Sequence, residues 1–209
     1  MLVAGDNAEP VFDNAVTMLT RWLEQLGEPA ADIHRLSAGR SADPSVEPAR
    51  IDKVLHEIAS LQPRPGERCL VFITSHGEHD EGVWLAADHD FLRPDELARA
   101  LSYGCARVPT VVVISACYSG IFAAPAMRAP NRIILTAARG DRPSFGCQAN
   151  RTYTVFDQCL LGTLTRAETW RAVYKANSDC VRWHEKRLGV RPSQPQASFG
   201  AAVQDLTVR

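Results

Sequence analysis

The sequence lacks the marks of several large functional classes. Among its 209 residues there is no CxxC pair, and no set of cysteines and histidines has zinc-finger spacing. No apolar run approaches the roughly 18 residues that a membrane-crossing helix needs. The opening stretch "MLVAGDNAEP" has neither the basic head nor the long apolar core of a secretory signal. The formal net charge is only -1, which gives no electrostatic reason to bind nucleic acid or an anionic membrane. "AGDNAEP", after the first apolar run, contains neither GxGxxG nor GKS/T, which argues against a flavodoxin-like nucleotide binder. There is no internal repeat and no low-complexity segment. These absences lead to the expectation of a cytosolic protein needing no cofactor or metal. The alternative is export, should a leader have been removed ahead of "MLVAG", which already has the pattern of a core strand.

What is present is ordinary for one globular domain over residues 1–209, with 45% hydrophobic and 22% charged residues. Short apolar runs alternate with helical patterns. "MLVAG", "DIHRLS", "CLVFITS", "TVVVIS", "NRIILTAA" and "PQASFGAAV" are strand candidates. Between them lie "VFDNAVTMLTRWLEQLG", "ARIDKVLHEIASL" and "RPDELARALSYG", each apolar at helical spacing, and a helical pattern over residues 153–188 broken near "GTLTRAE". Residues 38–48 read as a polar loop, and "GVWLAADHDFL" as a small hairpin. Near-continuous apolar strands alternating with helices predict an α/β fold, with a mainly parallel sheet of about six strands and helices on both faces.

Six cysteines are present: Cys69, Cys105, Cys117, Cys147, Cys159 and Cys180. A chain this size has core enough to fold without disulfide staples. Cys69, Cys159 and Cys180 fall within apolar patterns, where cysteine behaves as a small hydrophobe. Cys117 differs, because it stands just past the end of "VVVIS". In open parallel sheets, sites form at the carboxyl ends of strands. That edge receives His76-Gly77 after "CLVFITS" and Ala116-Cys117 after "VVVIS". An imidazole and a thiol at one edge suit nucleophilic catalysis, in which the base promotes the thiolate and the thiolate attacks a carbonyl. The backbone N–H groups of Gly77 and Cys117 are the natural donors for the resulting oxyanion, and glycine lets the main chain come close to a substrate.

"VFITSHGEHDEGVWL" and "VVVISACYSGIF" together resemble the paired motifs of the legumain-type cysteine peptidases. "LVAGDN", "LTAARGDRPSFGC" and "PSQPQASFG" add softer similarities across nearly the whole chain. The resemblance implies a three-layer caspase-like fold and a cysteine endopeptidase acting on peptides or proteins through a thioester acyl-enzyme. It implies His76 and Cys117 as catalytic pair, Gly77 and the Cys117 amide as oxyanion hole, and Asn7 as a residue that helps orient the histidine. Where legumains carry a glutamate two positions before the nucleophile, this chain has Ser115. An arginine expected near Val11 has no counterpart, and "QAN" at residues 148–150 replaces an acidic residue. Asparagine specificity is therefore not carried over, and Asn7, Ser115 and Ser144 are expected to wall the substrate pocket by position. Two alternatives stay open: a ligase using the same acyl-enzyme, and a catalytically silent binding module on the same fold.

Two further clusters call for a reading. His76, Glu78, His79, Asp80, Glu81, Asp88, His89 and Asp90 could together hold a divalent ion, but a solvated acidic loop beside the site explains them, and the calcium-loop pattern is absent. Cys147, at the same sheet edge as Cys117, could pair with it on oxidation; a buried loop thiol is the simpler reading.

Overall fold

The computed structural model describes residues 1–39, 46–148 and 150–209. Residues 40–45 of the expected polar loop and Ala149 of the "QAN" segment lie outside the described residues.

The centre of the sheet is set by its most apolar strands. β8 (Thr110–Ser115) is buried at every position, as a run of β-branched residues requires when both faces are covered. It pairs in parallel with β4 (Cys69–Thr74), in register from Cys69↔Thr110 to Thr74↔Ser115. β1 (Leu2–Ala4) pairs with β4 on one side and β2 (Arg35–Ser37) on the other. β3 (Val46–Pro48) closes that edge, and β9 (Arg132–Thr136) flanks β8. β10 (Gln196–Phe199) pairs antiparallel with β9. The sheet therefore has seven strands in the order β10-β9-β8-β4-β1-β2-β3, mainly parallel. The additional strand is β3, within the expected loop. Its Pro48 cannot donate to a ladder, which suits an edge and hides the strand from a pattern search. A second sheet of three short strands, β5 (Gly77–Glu78), β6 (Gly82–Leu85) and β7 (Asp90–Leu92), follows β4 directly and extends the expected hairpin by one strand.

Strand alternation sorts the core into two layers. Leu2, Ala4, Phe72, Val111, Val113, Ile133 and Leu135 face α1 (Val11–Gln25), α4 (Val155–Leu164) and α5 (Trp170–Leu188). Val3, Val71, Ile73, Val112, Ile114 and Ile134 face α2 (Ile51–Ser60) and α3 (Pro94–Gly104). The fold is the three-layer caspase-like α/β arrangement.

The cysteines correct the sequence reading. Cys69 is bonded to Cys105, and Cys159 to Cys180, with Cα–Cα distances of 6.1 and 5.7 Å. Periodicity correctly turns Cys69, Cys159 and Cys180 inward but cannot say which buried thiols end up within bonding reach. One bridge ties the start of β4 to the end of α3, and the other ties α4 to α5. Only Cys117 and Cys147 are free.

Candidate active site

The site is built by the last rung of the β4–β8 pair. Thr74 and Ser115 are partners, and the Ser75 N–H donates to Ser115 O at 3.1 Å. His76 and Cys117 each lie two residues past that rung. Both therefore follow the side-chain direction of Thr74 and Ser115, toward α1 and α4. The His76 ring packs edge-on against Phe12 of α1, centroids 5.2 Å apart, and its carbonyl accepts from Trp84 N at 3.0 Å. His76 and Cys117 are half-buried, open enough to meet a substrate yet held in place.

Gly77 is pressed against the loop that carries Cys117. A Cβ at this position would lie 2.2 Å from the carbonyl oxygen of Cys117 and 3.1 Å from the Cβ of Ala116. His76 shares a bonded rung with Trp84, so the next N–H, that of Gly77, turns away from β6. After Cys117 the chain bends sharply: Tyr118 has φ 55°, an unusual conformation for a bulky residue. Its N–H donates to Arg142 O at 2.8 Å, and Ala138 N donates to Ser119 Oγ at 3.2 Å. These bonds hold the loop after β9 against the nucleophile loop.

That second loop brings Ser144 to the sulfur. Ser144 N–H donates to Cys117 Sγ at 3.2 Å, while the Ser144 carbonyl and hydroxyl lie 3.4 and 3.6 Å from it. The N–H is aimed at the sulfur, and the carbonyl is placed to accept from its S–H. Ser144 thus touches the Cys117 sulfur itself.

The other positions expected at the pocket behave differently. Asn7 is exposed, and its amide donates to Ala38 O at 3.2 Å, toward the end of β2 on the side of β1 away from β4. Ser115 is buried, with its hydroxyl near the Asp157 carboxyl of α4. Val11 is fully buried in α1.

Asp157 is the residue the sequence reading missed. It is wholly buried; Thr74 Oγ1 donates to its Oδ2 at 2.8 Å, and the Thr154 hydroxyl, which accepts from Asp157 N at 3.0 Å, also lies against it. Among the described residues, its Oδ1 has no hydrogen-bond partner. Burial pushes this carboxyl up to about 6, against the hydroxyls of Ser115, Thr74 and Thr154, which pull it down. The only signal in the sequence is an acidic residue within "TVFDQCLL", three positions after a threonine able to cap the helix.

Burial, and next the neighbouring Cys117, push the Cys147 thiol up to about 12. A thiol so seldom ionised is a poor attacker in disulfide exchange, which weakens the idea of a Cys117–Cys147 redox pair. The acidic loop resolves into local pairs: Arg50 with Asp88, Arg93 with Glu81 and Asp90, and His79 with Asp80. Asp88 also accepts from the Ile51 N–H at the start of α2. Among the described residues, the group with metal-ligand proximity is Cys159, Cys180 and His184, two of which are consumed by a disulfide.

Residues 51–176 match the model of the peptidase C13 family, over more than half of the chain and across both strands that bear His76 and Cys117. The chain belongs to the peptidase C13 family. No curated protein sequence matches it. This legumain-type peptidase is thus a cysteine peptidase acting on peptide or protein substrates. The strand ends singled out by the topology lie inside the matched region, and so does Asp157.

Proposed function

We propose that this C13 peptidase is an endopeptidase working through a Cys117–His76 dyad and a thioester acyl-enzyme. The observation that carries the reading is the Ser144 N–H at 3.2 Å from Cys117 Sγ, a donor aimed at the sulfur at the strand end beside the one that bears His76. His76 takes the thiol proton, and the sulfur attacks the scissile carbonyl carbon. The carbonyl oxygen becomes an oxyanion and accepts from the N–H groups of Gly77 and Cys117. As the tetrahedral species collapses, His76 passes its proton to the leaving amine and the C–N bond breaks, leaving the thioester. Water, deprotonated by His76, then attacks the thioester carbonyl, and the thiolate leaves as the acid product is released.

Cleavage of a diverse peptide library, read by mass spectrometry, tests this. Internal cleavage should occur with the parent protein and disappear in Cys117→Ala and in His76→Ala. Full cleavage by Cys117→Ala would remove the proposed nucleophile. Products carrying a new peptide bond instead of a free carboxylate would reassign the reaction to ligation.

A further inference from the structure

Asp157 is an expensive residue to place where it stands. A carboxyl wholly removed from water, with one oxygen unpartnered, is disfavoured in its ionised form. Among the described residues, the groups that set its protonation besides burial are hydroxyls, with no cation among them. Asparagine would fill nearly the same space without a charge. Buried groups held at such a cost concentrate where chemistry is done.

The position of Asp157 says what it does. Thr74 and Ser115 are partners on the last rung of β4 and β8; the Thr74 hydroxyl donates to this carboxyl, and the Ser115 hydroxyl lies near it. Each stands two residues before a member of the proposed dyad. The carboxylate therefore ties α4 to the strand end that presents His76, next to the one that presents Cys117. Thr154, the cap of α4, fixes the carboxylate's own position. Asp157 is covered by the residues it binds, so it reaches a substrate only through them.

We propose that Asp157, as a carboxylate accepting from Thr74 beside Ser115, is a positioning residue that sets His76 against Cys117. The proposal rests on the dyad reading above. A hydroxyl donates well to a carboxylate; a protonated carboxyl has one oxygen committed to its own proton, and the tie to Thr74 weakens. Activity should therefore fall as pH drops through the range where Asp157 protonates, near 6. Stability should move the other way. A carboxyl raised by burial contributes stability below the ordinary carboxylate range and loses it as pH rises through 6. The titratable groups facing the cluster from other elements are His76 after β4, Cys117 after β8 and Cys147 after β9. Cys147 faces both Asp157 and Cys117, and Asp6 and Glu9 of the first loop act on Cys147 in turn. Cys147 stays protonated across this range, so the inflection belongs to Asp157 or the dyad.

The experiment compares the parent protein with Asp157→Asn, using a peptide from the library above, between pH 4.5 and 8.5. Asp157→Asn should lower kcat at pH 7.5 by at least tenfold with KM within about twofold, and should lose the inflection near pH 6. Its melting temperature should exceed the parent's at pH 7.5, with the gap closing by pH 4.5; a residue that serves only folding would not couple higher stability to lower turnover. If Asp157→Asn fails to fold, Thr74→Val and Ser115→Ala take its place. Thr74→Val removes the donor to the carboxylate and Ser115→Ala removes a hydroxyl beside it, so each should lower kcat and move the inflection to higher pH. Parent-like kcat and an unmoved inflection in the variants overturn the proposal. Absence of Cys117-dependent cleavage in the parent protein overturns the dyad reading first, and with it this one.

Discussion

A methyl group on Gly77 would sit 2.2 Å from the Cys117 carbonyl oxygen, and that oxygen belongs to backbone with no rotamer to yield. Gly77→Ala should therefore push the nucleophile loop away from the histidine loop. A displacement of about 1 Å costs on the order of 100-fold in turnover, so we expect a loss of that size in kcat/KM, with the far-UV circular dichroism spectrum unchanged. An alanine variant with parent activity would mean that the two loops are not locked together. His76, Gly77 and Cys117 were legible in the sequence because two apolar runs each end in a residue type that carries chemistry. Ser144 was legible only as a neighbour. Its contact with the sulfur runs through a backbone N–H, which every residue but proline has, so residue type gives no hint. Asp157 was hidden for the opposite reason: its type is informative, but an acid one position from apolar neighbours in a helix is usually solvated, and only tertiary packing turns this one inward.

Helix α4 begins with one hydroxyl serving two purposes. Thr154 Oγ1 accepts from Asp157 N and lies against the Asp157 carboxyl. Removing a threonine cap costs roughly 1 kcal/mol, and Thr154→Ala should show a loss of that order in urea unfolding. It also removes a group that pulls the Asp157 carboxyl down, so the inflection in kcat should rise in pH; a stability loss with no such rise would separate cap from carboxylate. The five helices and the inner strands were legible because their apolar periods are long and consistent. β3 was not: three residues ending in proline, pairing through β2 alone, leave no period to count.

At the scale of the whole molecule, the two disulfides oppose the expectation of a chain that folds without staples. Bridges of this kind persist in oxidising compartments, and we propose that the protein works in one. A free-thiol titration of the denatured protein from its native source should count two thiols, those of Cys117 and Cys147; a count of six would return it to a reducing setting. The bridges span 36 and 21 residues in sequence. Loop-closure entropy then assigns each about 3–4 kcal/mol, and a dithiol reductant should lower the melting temperature by roughly 10 °C or more. Their order along the chain has a further consequence. The bridged pairs are consecutive, never interleaved: Cys69 meets Cys105, then Cys117 and Cys147 pass unpaired, then Cys159 meets Cys180. If the chain is oxidised as it is synthesised, the first bridge can close before the nucleophile has left the ribosome. Cys117 is then spared any competition with the first pair, and the risk of mispairing is confined to the interval before α5 docks on α4.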